Sequence, residues 1–376
     1  CASQHLPSSW LHLGISALTS LILVVLAMPK GLRQSILKRP SRSNGSGAAG
    51  DAPHPLSCSE KSRAESDSAS GRRVLVTGAS GLLGRQVMRV FDEKAWSVRG
   101  LAFSRTSGPL VKCDIFNHSA LAEQFEEFRP SIVIHCAAER RPDILEKNQE
   151  YATKINVEAA RTIAELSHTY GAWLIYLSTN YVFDGKDAPY AEDAQPNPVN
   201  VYGVSKFLGE QEVAKVHNGA AILRVPLLYG PLEYLQETSL TTLLETIRKP
   251  GVVKLDNWQE RFPTNAEDLA EVLQAMASTY AAQSAEAAAF SGVFHWQANE
   301  RHTKYTMGII IAEIAGLDHS QFIPVDTAPP VDAKRPQFER MLCTRLERLL
   351  GVASGSNSFR SDFRSSLQQY LKPFVG

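Results

Sequence analysis

Neither sign of charge predominates in these 376 residues: 39 lysines and arginines face 39 aspartates and glutamates, so the formal net charge is zero. A chain so balanced has no overall pull toward nucleic acid, and no nucleic-acid partner is expected. Cysteine is scarce too. The five residues Cys1, Cys58, Cys113, Cys136 and Cys343 form no Cys-x-x-Cys pair, which argues against a disulfide framework or zinc site and for a reducing compartment. No His-Glu-x-x-His occurs, and no metal is expected. Cys136, inside IVIHCAA, reads as a small buried apolar residue. What the chain does have is 44% hydrophobic residues, enough for a sizeable globular core.

The first 71 residues differ from the rest. Residues 10–28 form an apolar run followed by the basic stretch KGLRQSILKRPSR, and the run is about long enough to span a bilayer. Two readings stay open. In one the run is a signal-anchor or targeting segment, and the protein is membrane-anchored or organelle-targeted. In the other, because the chain begins with Cys rather than Met, Met28 is the true start and the protein is cytoplasmic, the expected compartment. Residues 41–71 are rich in Ser, Gly and Ala and read as a disordered linker.

From Arg72 onward apolar runs such as VLVTG, SVRGLAF, SIVIHCAA and WLIYLS alternate with helically spaced stretches such as LLGRQVMRVFDEKAW, SALAEQFEEF and VEAARTIAELSHTY. That alternation predicts an α/β fold with a doubly wound parallel sheet, the Rossmann arrangement. A cofactor-binding core mainly over residues 72–230 is expected, with a smaller C-terminal substrate-binding lobe mainly over 231–376.

VLVTGASGLLG places Gly78, Gly81 and Gly84 directly after a strand and at the start of a helix. Glycine permits the tight turn and the close approach of backbone to a pyrophosphate, and the helix start presents unpaired N–H groups. With Ser80, Leu82 and Leu83 this loop is expected to hold a dinucleotide. About twenty residues on, an NAD site carries an acid for the ribose 2′-hydroxyl. LAFSR has Ser104 and Arg105 there instead. A hydroxyl and a planar guanidinium suit a 2′-phosphate, so NADP(H) is the expected cofactor. Asp114, in KCDIF, is expected at the adenine. Ala137, Ala138 and Arg140 after the IVIH strand, and Pro226 after AAILRV, complete the expected cofactor set. The Arg140-Arg141 pair either meets phosphates or is simply solvated. His135 reads as a backbone-bonded histidine at a strand end.

Tyr202 and Lys206 lie four residues apart in VYGVSK, on one face of a predicted helix. A nearby ammonium stabilises a phenolate, so Lys206 is expected to lower the Tyr202 pKa. Thr179, just past WLIYLS, offers a hydroxyl to the same substrate carbonyl. The alternative is an ordinary surface Tyr and Lys.

In this order TGxxGxxG, a mid-domain Asn (here Asn156, in KINVEAA) and YxxxK resemble the extended short-chain dehydrogenase/reductase family. STNYVFDG, NPVNVYGVSKFLGE, RFPTNAEDLA and Arg335-Pro336 are similar to its dTDP-4-dehydrorhamnose reductase branch, which implies NADPH-dependent reduction of a 4-keto sugar nucleotide. HCAAERRPD, AAILRVPLLYG, NWQERFPT and FHWQANERHTKYTMG resemble the regulatory beta subunits of methionine adenosyltransferase over essentially all of residues 72–376. That resemblance implies a hetero-oligomer with the catalytic subunit that makes S-adenosylmethionine, and NADP(H) bound without an established need for reduction. It also implies Asn156 as a cofactor-site residue. Trp258, Arg261, Phe262, Arg335 and the Arg140 loop are expected to line the substrate half of the cleft, although Trp258 and Phe262 equally suit a core. Asn180 stands where the sugar reductases carry Asp, so efficient reduction is not expected. The chain ends at SLQQYLKPFVG, without the short basic and aromatic tail through which the resemblance implies docking on the partner.

Overall fold

A computed structural model describes residues 72–282 and 287–375; the 10–28 run and the 41–71 linker lie outside these. The alternation read from the sequence follows at once: β1 (Arg73–Thr77), α1 (Leu82–Glu93), β2 (Ser97–Ala102), β3 (Val111–Lys112), α2 (His118–Phe128), β4 (Ile132–His135) and α3 (Pro142–Lys147). Next, α4 (Gln149–Thr153) runs through a π turn at Lys154–Glu158 into α5 (Ala159–Thr169), then β5 (Trp173–Thr179), α6 (Val201–Val216) and β6 (Ala221–Val225). The second half comprises β7 (Leu228–Tyr229), α7 (Thr242–Ile247), β8 (Val253–Asp256), β9 (Thr264–Asn265), α8 (Ala266–Ala282) and β10 (Gly292–His295). It ends with α9 (Lys304–Ile314), β11 (Phe322–Val325), α10 (Thr344–Leu349) and α11 (Phe363–Leu371).

Seven strands form one parallel sheet in the order β10-β6-β5-β4-β1-β2-β3. Because successive side chains in a strand point to opposite faces, a central strand must be apolar at nearly every position. β1 meets this by sending Val74 and Val76 to one face, with Val87 and Phe91 of α1 and Leu269 and Leu273 of α8. Leu75 goes to the other, with Leu121 and Phe125 of α2 and Ile163 of α5. A separate cluster of Leu243, Leu255, Ile311 and Leu367 makes the core of the smaller lobe. The chain does not stay in that lobe: α8 and β10 return to the main sheet. Among the described residues no helix is long and apolar enough to cross a membrane.

β1 pairs with β2 on one side and β4 on the other. The strand order reverses there, and a crevice opens at the carboxyl ends of the strands. The start of α6 is fixed beside it. Asn200 caps the helix by accepting from the Gly203 N–H at 2.9 Å, and its own amide donates to the Lys334 carbonyl at 2.7 Å. A Cβ on Gly203 would run into the Tyr181 carbonyl, so this helix can approach the end of β5 only with glycine at that position. Gly203→Ala is therefore expected to lower stability by about 1–3 kcal/mol, the usual cost of overpacking. Gly219→Ala, where the nearest atom to a new Cβ is 3.6 Å away, should be near neutral; thermal unfolding of both variants checks this.

Candidate functional site

The glycine loop is built as its sequence demands. Gly78 has a φ of +66°, the left-handed region that disfavours a side chain. A Cβ there would lie 2.7 Å from the Ala137 nitrogen, and one on Gly84 would strike the Gly78 carbonyl. Strand end, turn and helix are thus in backbone contact. Gly81 caps α1 without any side-chain hydrogen bond, and the first turn holds no acid. The helix start therefore offers unpaired N–H groups and the positive end of its dipole to an anion. Ser80, Leu82 and Leu83 lie on this turn. Ala137 and Ala138 follow β4, with the Ala137 N–H donating to Thr77 Oγ1 at 3.4 Å, and Pro226 is buried just past β6.

The Arg105 guanidinium reaches this loop, donating to the Ser80 carbonyl at 2.7 Å and to Glu233 at 2.9 Å. Ser104 is exposed beside it. Asp114 closes its own turn by accepting from the Phe116 N–H at 3.0 Å. The Arg140-Arg141 pair divides: Arg141 forks onto Glu139 at 2.9 and 2.6 Å, and Arg140 donates to the Glu237 carbonyl. Asn156 lies in the π turn, a distortion that frequently marks functional positions. Its amide donates to Ser205 Oγ at 2.9 Å and the Glu139 carbonyl at 3.2 Å, while its Oδ1 is buried without a partner.

At the other side of the crevice the fold brings Thr179 beside Tyr202, close enough for the two hydroxyls to interact. Thr179 sits at the end of β5, accepts from the Tyr181 N–H at 3.2 Å and donates to Asn180 Oδ1 at 3.2 Å. Lys206 lies on α6, one turn beyond Tyr202. The expected effect of Lys206 on Tyr202 does not appear. Burial raises the Tyr202 phenol, opposed by the Thr179 hydroxyl and the Arg140 charge. Lys206 instead stands over the Tyr176 ring, 4.0 Å from its centre, and burial lowers its pKa to about 7 against the pull of Glu210. Both groups are closer to neutral than the pairing of their letters suggests. His135 also differs from expectation: its partner is the Thr77 hydroxyl at 2.6 Å, not backbone, and burial holds it neutral with a pKa of about 3. Cys136 is partly buried against the core, its thiol pushed up to about 12 by burial.

The most informative residue here is one that sequence reasoning missed. Glu339 is buried and accepts from the Asn180 amide at 2.6 Å and from Gln259. The carboxylate absent from position 180 is thus supplied from the far end of the chain. Gln259 also donates to the Tyr181 hydroxyl at 3.1 Å, and Arg261 links Gln259 to Asp256, with 2.8 Å to the Asp256 carboxylate. Arg335 is held by Asp143 of α3 at 2.7 Å. Trp258 is half-buried, and its backbone N–H donates to the Asp256 carboxylate at 2.9 Å. Phe262 is buried and borders a different cavity of about 440 Å³, with Gln297, Cys343 and Arg360. No pattern around RPQFER marks Glu339, because its partners come from the turn just after β5 and from the segment after β8.

Burial raises the Glu339 pKa from its ordinary 4.5 to about 7, against the opposing charge of Arg261. A carboxyl whose folded pKa is raised stabilises the fold in its protonated form. That contribution is complete below about pH 4.5 and is lost as pH rises through about 7. The melting temperature is expected to fall by several degrees across this window, and Glu339→Gln should flatten that part of the profile; thermal melts at stepped pH check it.

Comparison with known proteins agrees with this architecture. Residues 72–374 match the RmlD substrate binding domain family. Methionine adenosyltransferase 2 subunit beta from Danio rerio is 41% identical over 298 residues, covering 79% of this chain and 90% of that protein. The Bos taurus subunit beta is 38% identical over 305 residues, covering 81% and 88%. Among solved structures, dTDP-4-dehydrorhamnose reductase from Bacillus anthracis in complex with NADP superposes with a TM-score of 0.68 at 27% identity, covering 80% of this chain and 99% of that one. The chain belongs to the RmlD substrate binding domain family and, within it, to the branch of the methionine adenosyltransferase beta subunits.

Proposed function

We propose that this chain is a regulatory, non-catalytic beta subunit of methionine adenosyltransferase, binding NADP(H) and docking on the catalytic subunit that makes S-adenosylmethionine. The observation that carries the reading is its likeness to beta subunits along 88–90% of their length. A cytoplasmic site of action goes with it.

The crevice fits the cofactor. Gly78, Ser80, Gly81, Leu82, Leu83 and Gly84 would cradle the pyrophosphate at the uncapped start of α1. Ser104 and Arg105 would meet the 2′-phosphate and Asp114 the adenine. Ala137, Ala138, Arg140, Asn156, Tyr202, Lys206 and Pro226 would line the remainder. When bound, the nicotinamide supplies hydride chemistry. The protein's own groups favour binding over turnover. Burial makes Tyr202 a poorer proton donor, and it lowers the pKa of the Lys206 ammonium well below its ordinary range, to about 7.

A second reading, a sugar-nucleotide 4-keto reductase, is favoured by the Thr179–Tyr202 contact with Lys206 one helical turn away. In that reading Thr179, Tyr202 and Lys206 act on the carbonyl, and Trp258, Arg261 and Arg335 face the sugar nucleotide. Phe262 is better placed as core.

Affinity capture with the catalytic subunit, with and without NADP(H), tests the first reading while NADPH absorbance is followed with a dTDP-4-keto sugar. Capture with flat absorbance is the expected outcome. No capture, with NADPH consumption that drops at least about 100-fold in Tyr202→Phe, would replace it by the second.

A further inference from the structure

The glycine loop is overlaid by residues 231–237, which follow β7. Three guanidiniums hold this strap: Arg85 from helix α1, Arg105 after β2 and Arg140 after β4. Its anchor is Glu237. That carboxylate is buried and forks onto Arg85 at 2.6 and 2.9 Å, and it also accepts the Glu233 N–H at 3.0 Å. Arg140 takes the Glu237 carbonyl, and Arg85 reaches the Pro231 carbonyl at 3.1 Å.

Glu233 is held differently. Its side chain is 49% exposed, with one oxygen 2.9 Å from Arg105 and 3.3 Å from Arg85. Arg105 meanwhile donates its other terminal nitrogen to the Ser80 carbonyl at 2.7 Å. A carboxylate from 128 residues away therefore occupies one arm of the Arg105 fork, whose other arm touches the glycine loop. Arg85, which donates to the same Ser80 carbonyl at 3.1 Å, is already taken by the buried Glu237. A 2′-phosphate, with up to two charges and several acceptor oxygens, cannot share that fork with a carboxylate without like-charge repulsion. An exposed pair of this kind is worth only about 0–1 kcal/mol, so Glu233 can be displaced into water. Glu237, buried and doubly bonded, cannot follow it. The strap has a fixed anchor and a releasable clasp.

Resting on the NADP(H) reading above, we propose that Glu233 sets the choice between the two nicotinamide dinucleotides. Its carboxylate occupies Arg105 and must be displaced by the 2′-phosphate of NADP(H), whereas NAD(H) enters with the clasp closed. The acid that NAD sites carry at the end of the second strand, missing from LAFSR, is returned to that place by the strap. The full chain thus discriminates less in favour of NADP(H) than Arg105 alone would dictate.

Calorimetric titration of the full chain with NADP⁺ and NAD⁺ tests this in wild type, Glu233→Gln, Arg105→Ala and the double variant. Glu233→Gln is expected to raise the NADP⁺ to NAD⁺ affinity ratio by about 3- to 10-fold, equivalent to roughly 0.7–1.4 kcal/mol. In the Arg105→Ala background the same change should have no effect on the ratio, because the fork it frees is gone. A ratio that is unchanged or lowered by Glu233→Gln, while wild type binds NADP⁺, overturns the proposal and leaves the cofactor reading intact. Binding of neither dinucleotide by wild type overturns both. Glu233 is half exposed, and matched circular dichroism and melting curves show that the variant is folded.

Discussion

Where β1 gives way to α1, the backbone of β4 passes so close that no side chain fits between them. Gly78 meets this with a left-handed φ and no Cβ, and Gly84, in the first turn of the helix, lets the helix close on the Gly78 carbonyl in the same way. Everything else at the crevice depends on that contact. It sets the height of the helix start above the sheet, brings Ala137 and Ala138 to the rim, and fixes the Ser80 carbonyl to which Arg105 is tied. A second close approach, Gly203 against Tyr181, sets the opposite wall and with it the Thr179–Tyr202 contact. The site is a gap between two backbone contacts, and side chains decorate it afterwards.

Buried charge is the other organising feature. Arg224 and Glu210 pair at 2.7 Å beneath α6, and Arg360 and Glu347 pair at 2.7 Å beneath the C-terminal segment. Asp256, Arg261, Gln259, Glu339 and Asn180 form a continuous polar chain beside Thr179. Such networks cost desolvation and are sustained only when their members satisfy one another. Here the network ends on the hydroxyl that a reductase would use. Together with the raised phenol of Tyr202 and the lowered ammonium of Lys206, it describes a site that holds its groups for one another more than for proton transfer.

The doubly wound α/β class and the glycine loop were legible in the sequence because they rest on local patterns: apolar runs of strand length alternating with helical ones, and glycines at fixed offsets. The strand order was not, because it is set by pairings distant in sequence. The YxxxK spacing correctly put Tyr202 and Lys206 on one helix. It could not say that burial under α6 outweighs their mutual charge, nor that Lys206 would settle over Tyr176. Glu339 and Glu233 were invisible for a different reason. Each acts through contacts spanning more than a hundred residues, 159 for Glu339 with Asn180 and 128 for Glu233 with Arg105, and neither has a local signature. Phe262 carried an ambiguity that only packing resolves, and it falls to the core.

The central claim is that this reductase-shaped chain works by changing the behaviour of another enzyme. The most direct measurement is the rate of S-adenosylmethionine formation by a methionine adenosyltransferase catalytic subunit across a methionine titration, with and without stoichiometric full-length chain. A shift in KM or kcat that saturates at a fixed subunit ratio is the result this account predicts. Superimposable curves at every ratio, with NADP(H) present or absent, would contradict it.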